Sequence, residues 1–162
     1  MFLELAKGTA LLLALCYLHG ANIRLWRQQP RLGQILSGLL FGGVCVLGML
    51  SQLVLAPGIF FDARSVVLSM AGLFGGPVVA GLAAVIAAAW RLWVGGTGAY
   101  VGVMVIALST LLGLAYRMAR TQGRLDVRPM TLLVFGLLLH LGVLGIFQWL
   151  PPDVVLRVNS ML

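Results

Sequence analysis

Residues 57–100 read PGIFFDARSVVLSMAGLFGGPVVAGLAAVIAAAWRLWVGGTGAY. Two arginines, Arg64 and Arg91, stand here beside apolar runs long enough to lie in a lipid bilayer. A Gly75-Gly76-Pro77 break separates the runs, and the glycine pair Gly95-Gly96 closes the longer one. A charge at membrane depth is costly and usually faces a cavity, a partner or an interface. The segment from Arg64 to Phe74 holds eleven residues before the break. At about 1.5 Å per residue it covers ~16 Å, roughly half of the ~30 Å hydrocarbon core. It reads as a short, broken helix, tolerated only where neighbouring helices bury it.

Composition places the whole chain in the membrane. Its 162 residues are 61% apolar and 9% charged, with a mean hydropathy of +1.07. A soluble domain carries about a quarter charged residues. The net charge is +7 and the pI near 10.8, but the cations sit at the ends of apolar runs. Topology and lipid headgroups account for them there, so nucleic acid is not an expected partner. Glu4 and Lys7 at the start, and His19, Asn22 and Arg24 at the end of the first run, do not make a cleaved signal peptide. Cys16 and Cys45 fall in separate apolar runs and read as small buried residues. With no CxxC, HExxH or Cys/His cluster, neither a metal nor another cofactor is expected.

Outward from the central stretch, apolar spans are expected at about 3–22, 32–55, 78–94, 99–118 and 130–150. Together with the short segment at about 64–74, they predict an all-α polytopic membrane bundle of five long helices and one short broken helix. Gly38 and Gly42 form a GxxxG pair that permits close helix packing. Pro57-Gly58 ends the second span, and Asp62 can cap the short helix. The alanine-rich 78–94 span suits the middle of a bundle. Pro151-Pro152 closes the last clear span, ahead of the tail DVVLRVNSML.

Loop 24–31 carries Arg24, Arg27 and Arg31, and loop 117–128 carries Arg117, Arg120, Arg124 and Arg128. The positive-inside rule assigns both to the cytoplasm, so an even number of crossings separates them. The count closes only if the short segment is itself a pass. Arg64 and Arg91 then lie at the outer ends of adjacent helices, against the bias that the seven loop arginines obey. Glu4, Asp62 and Asp153 fall on the same outer side.

Arginine is permanently charged and presents a planar fork of donors suited to carboxylate or phosphate. Two forks converging in a pocket of restricted water would hold a small anion. Gly95, Gly96 and Gly98 permit close backbone approach, and Thr97 and Tyr100 can donate hydrogen bonds. Two plainer readings stand beside this one. The arginines can snorkel at an interface, with Trp90 and Trp93 as belt residues, or an Asp62 ion pair can staple helices. His140 reads as an interhelical hydrogen-bonding residue, and His19 as interfacial. No nucleophile–base pair, in-span carboxylate pair or phosphate loop is present, and enzymatic activity is not expected.

Asp62-Ala63-Arg64, then Ala71-Gly72-Leu73-Phe74-Gly75-Gly76-Pro77, then Arg91 with Gly95-Gly96, resemble the LytS-YhcK type five-transmembrane receptor domain. Asn22-Ile23-Arg24, Pro30 and the glycine-rich second span are also similar to it, so the likeness runs from about residue 4 to the tail. It implies a sensor domain over residues 1–162, in the inner (cytoplasmic) membrane of a bacterium. It also implies a fold similar to the substrate-binding subunits of energy-coupling-factor vitamin transporters. Such domains precede cytoplasmic histidine kinase or diguanylate cyclase outputs, and a homodimer through the full-length receptor is expected. Some members respond to extracellular pyruvate, and Arg64 and Arg91 match the carboxylate ligands. With these arginines the candidate ligand site comprises Arg64, Arg91, Asp62, Gly95, Gly96, Thr97 and Tyr100, and the Gly75-Gly76-Pro77 break reads as a hinge, since a short helix with few lipid contacts is easy to move. Gly102 and Val105 depart from the small polar side chains expected of a pyruvate receptor. The family's further helix after the Pro-Pro segment and its output domain are expected beyond this chain. A transport-type subunit and a ligand-free structural module are the alternative functions.

Overall fold

In the computed structural model the described residues are 2–50, 53–56, 59–61, 63–96 and 99–148. Among them the apolar runs form six α-helices: α1 (Phe2–Leu25), α2 (Pro30–Leu50), α3 (Ala63–Met70), α4 (Pro77–Val94), α5 (Ala99–Thr121) and α6 (Pro129–Gln148). Pro30, Pro77 and Pro129 each open a helix, where a missing N–H leaves no bond unmade. Helices α2, α4, α5 and α6 are long and apolar enough to cross a membrane, while the apolar stretches Thr9–Leu25 and Arg64–Gly75 are shorter. The chain is a multi-pass membrane protein.

Helix α2 stops at Leu50, short of the expected end near 55. Leu53–Ala56 instead forms strand β1, paired antiparallel with β2 (Ile59–Phe61), with Leu53 opposite Phe61 and Val54 opposite Phe60. Among the described residues the fold is all-helical as expected, apart from this short two-stranded ribbon. Hydropathy runs unbroken through this region, and periodicity cannot separate a short apolar strand from a helix end. Val54, Ile59, Phe60 and Phe61 are strand formers. The expected helix stop at Pro57-Gly58, the Asp62 cap and the Pro151-Pro152 tail lie outside the described residues.

The short helix breaks where expected, and the break has a defined geometry. After Met70 the chain widens into a π-turn over Ala71–Gly75, closed by the Gly76 N–H donating to Ala71 O at 3.1 Å. Gly76 has φ +87°, a conformation that glycine adopts without a Cβ penalty. Its carbonyl then accepts from Ala80 N at 2.9 Å, and α4 begins.

Close contacts fix how the helices run. Gly38 seats against Leu82 and Gly42 against Ile86, so α2 and α4 are parallel and the GxxxG pair is used within the chain. Gly113 meets the Ser69 backbone, and Gly72 meets Gly113 and Leu114, so α3 runs parallel to α5. Ring contacts set α1 antiparallel to α2 (His19 on Phe41) and α6 antiparallel to α5 (Phe135 on Tyr116).

The core lies where α2, α3, α4 and α5 meet, around Phe41, Cys45, Val67, Leu68, Ala71, Val79, Ala83, Ala87 and Ile106. Helix α4 is less central than its alanines suggest. Val79, Ala80, Ala83 and Ala87 bury one face, but Val85, Leu92 and Trp93 look outward. Helix α5 is the most enclosed span, burying 44% of its apolar window against 22% for α4. Small residues therefore mark one close-packed face here rather than a surrounded helix.

Three single-residue expectations change. Cys16 is exposed, while Cys45 is buried as expected. His140 does not reach another helix among the described contacts: its Nδ1 meets Gly136 O at 2.8 Å, one turn back on α6. His19 sits in the α1–α2 seam, 3.0 Å from Ser37 Oγ, and Asn22 Nδ2 donates to the same hydroxyl at 2.8 Å.

Candidate functional site

Arg91 lies in the last turn of α4, where the helix dipole favours a cation. Its Nη1 donates to Gly95 O at a long 3.4 Å. Gly95, with φ +70°, returns its own N–H to Arg91 O at 3.2 Å, so the two residues close the helix end on each other. Beyond that contact the Arg91 side chain crosses to α5 and lies over Gly102. A Cβ at Gly102 would stand 2.7 Å from Nε, 3.0 Å from Cγ and 3.1 Å from Cδ. Gly102 is thus a slot in α5 that admits the arginine.

The face of α5 beneath this arginine is apolar. Ala99, Gly102, Val105, Ile106 and Ser109 are buried at the three- and four-residue spacing of one helix side. The Ser109 hydroxyl donates to Val105 O at 2.8 Å and the Thr110 hydroxyl to Ile106 O at 2.7 Å. Both donors are engaged along their own helix. Tyr100 is 79% exposed, on the opposite side of α5 from Gly102, so its hydroxyl does not join this face. Trp90 and Trp93 pair at an interplanar tilt of 50°, centroids 5.1 Å apart, beside Arg91, and Trp93 is exposed. That is the arrangement of an interfacial aromatic pair.

Arg64 enters from the first turn of α3 and is half-buried, next to buried Ser65. A cation at a helix N-terminus opposes the dipole, so an anion nearby is favoured by both. Helices α3 and α4 bear the two arginines, and both pack against α2 and α5. Gly96 has φ +91° at the exit from α4. Asp62 and Thr97 lie outside the described residues.

At the other end of the broken helix stands a residue that sequence reasoning assigned only to topology. Arg117, within α5, donates from Nη1 to Leu73 O at 3.2 Å and to Phe74 O at 3.1 Å. These carbonyls end the π-turn, and Pro77 has no N–H to offer them. A cation there also complements the helix C-terminus. Gly76 makes room for it, since a Cβ at Gly76 would lie 3.2 Å from Arg117 Cζ. No sequence signal distinguished Arg117 from the other loop arginines, because its partners lie 43 and 44 positions away.

A family model described as the 5TMR of 5TMR-LYT matches residues 21–161, most of the chain. No curated protein and no solved structure matches it. The matched family is a membrane sensor module, not a catalytic one, in keeping with four helices able to span a bilayer. The motif residues Arg64, Gly75-Gly76-Pro77 and Arg91 all fall inside the matched range. The chain therefore belongs to the five-transmembrane receptor family 5TMR-LYT, the LytS-YhcK type of sensor domain that its motifs resemble.

Proposed function

We propose that this sensor domain binds a small, pyruvate-like carboxylate on the extracytoplasmic side, between Arg64 and Arg91. The observation that carries the reading is the seating of Arg91 over Gly102, which turns its guanidinium toward the enclosed helix that also packs α3. The parallel register of α3 and α5, carried back from Ser69 beside Gly113, sets Arg64 near the level of Leu108. Along α5 that is ~9 Å from Gly102, a gap two arginine side chains can close around a small anion. Val105 and Ile106 wall this gap and exclude water, which strengthens charge-assisted bonds.

On this reading Gly95 and Gly96 shape the outer rim, and Asp62 and Thr97 belong to the proposed ligand set. The apolar wall selects an acid with a short, uncharged tail. Ligand binding shifts the packing of α3 about the Gly75-Gly76-Pro77 hinge. In the full-length receptor, a homodimer in a bacterial inner membrane, the shift reaches a cytoplasmic kinase or diguanylate cyclase. A ligand moves such an equilibrium only by binding one packing better than the other.

Isothermal calorimetry of the detergent-solubilised protein against a panel of C2–C6 carboxylic acids tests the proposal. At least one acid should bind, and Arg64→Ala and Arg91→Ala should each weaken it by about 30-fold or more, the roughly 2 kcal/mol of a broken desolvated charge pair. If no acid binds, or if both variants bind as the parent does, the site is not there.

A further inference from the structure

We infer that Arg117 couples the broken helix to the cytoplasmic loop between α5 and α6, a role that rests on the sensing function proposed for Arg64 and Arg91. The inner end of α5 grips two partners with two consecutive residues. Arg117 holds the end of the π-turn through Leu73 O and Phe74 O. Tyr116, buried, donates its hydroxyl to Asp126 O of the loop at 3.1 Å and packs its ring on Phe135 of α6, centroids 5.1 Å apart. One residue faces the segment that carries Arg64, and its neighbour faces the loop that carries Arg124 and Arg128.

The packing around this junction leaves little slack. Gly72 and Gly113 bring the two backbones together one turn before Arg117, with no side chain between them. Gly76 gives the guanidinium its seat, and any other residue there would push against Cζ at 3.2 Å. The break at Gly76-Pro77 interrupts the hydrogen-bonded ladder between α3 and α4, so a tilt of α3 is not carried rigidly into α4. Arg117 ties the α3 side of that hinge to the inner end of α5, so that the two move together about it. A displacement at Arg64 is then delivered to the inner end of α5, and through Tyr116 to the loop.

Arg117 reaches both carbonyls from one nitrogen, Nη1, which the planar guanidinium fork holds in place. Lysine offers a compact charge without the fork, so Arg117→Lys keeps the charge at the helix end but holds it less rigidly. Arg117→Gln removes the charge and retains an amide donor.

Amide hydrogen exchange of residues 121–128 in the detergent-solubilised chain reads the coupling in two arms. In the first, without ligand, Arg64→Ala alters loop exchange in the parent by about fivefold or more, the lower range of measured couplings. The same change has no effect on the loop in an Arg117→Gln background, and a reduced one with Arg117→Lys. In the second arm, saturating pyruvate alters loop exchange in the parent and not in Arg117→Gln. That variant still binds pyruvate with unchanged or tighter affinity, because the ligand no longer does work on the inner end. A loop response that survives Arg117→Gln and Arg117→Lys overturns the inference, as does a tenfold loss of pyruvate affinity in Arg117→Lys. A first arm that behaves as expected while pyruvate fails to bind the parent upholds the coupling and refutes the pyruvate-like ligand instead. Should Arg117→Gln not fold, Arg117→Lys alone decides, by whether the loop response falls.

Discussion

Gly102 separates stability from binding at a single position. Replacing it with alanine adds a Cβ 2.7 Å from Arg91 Nε and 3.0 Å from Cγ, so the arginine must leave its seat. The side chain is flexible, and the helix itself gains at most roughly 0.5–1 kcal/mol from losing a glycine in its first turn. Gly102→Ala should therefore leave the thermal midpoint equal or higher while weakening carboxylate binding by about tenfold, read by calorimetry alongside a melting curve. Equal binding would show that the Arg91 seat does not matter to the ligand. The position of Arg91 at the end of its apolar helix was legible in the sequence, because a permanent charge beside a long apolar run has few acceptable placements. The outward turn of Tyr100 was also within reach, since Ala99, Gly102 and Val105 already mark the buried phase of α5. Arg117 was not. The positive-inside rule explains it as well as it explains Arg120 or Arg124, and only the fold brings it to the carbonyls of Leu73 and Phe74.

The broken helix meets α5 by direct backbone approach at Ser69–Gly113 and Gly72–Gly113. In a bilayer, where no hydrophobic drive exists between helices, such close approach supplies much of the packing energy. A Cβ at Gly113 would fall on the Ser69 carbonyl and its neighbouring backbone atoms, which cannot rotate away. Gly113→Ala should then destabilise the protein by about 1–3 kcal/mol, the usual cost of overpacking. Gly43→Ala on α2, which meets nothing within 4 Å, provides the control and should be neutral or mildly stabilising. Thermal unfolding of both variants in one detergent gives the comparison, and equal midpoints would mean that α3 and α5 are less tightly joined than their geometry implies. The position of the break was readable because Pro77 cannot continue a hydrogen-bonded ladder and two glycines precede it. The π-turn was not readable, since residues 71–75 carry no pattern that separates it from an α-helix. The β1–β2 ribbon was hidden because Leu53–Ala56 continues the apolar run of α2.

Two parallel pairs, α2 with α4 and α3 with α5, organise the bundle. This is the arrangement required if the short segment Ala63–Gly75 advances through the membrane in the same direction as α5. At thirteen residues it reaches only ~20 Å, so the rest of its path must be made up by the ribbon and by the turn into α4. The count of crossings thus rests on the least membrane-like helix in the chain, and it has a consequence at two distant loops. With the short segment as a pass, Gln28 before α2 and Gln122 after α5 lie on the same, cytoplasmic face, and Trp93 near the end of α4 lies on the other. If the segment only dips in and returns, α4 and α5 reverse, placing Gln122 and Trp93 each on the opposite face. Gln28, Gln122 and Trp93 are all exposed, so each can carry a reporter cysteine in a Cys16→Ala/Cys45→Ala background. In spheroplasts an impermeant maleimide should modify Trp93→Cys at once, and Gln28→Cys and Gln122→Cys only after the membrane is opened. Modification of Gln122→Cys in sealed spheroplasts, with Gln28→Cys still protected, would remove the short helix as a pass. It would also carry Arg91 to the cytoplasmic side, where an extracellular acid could not reach it.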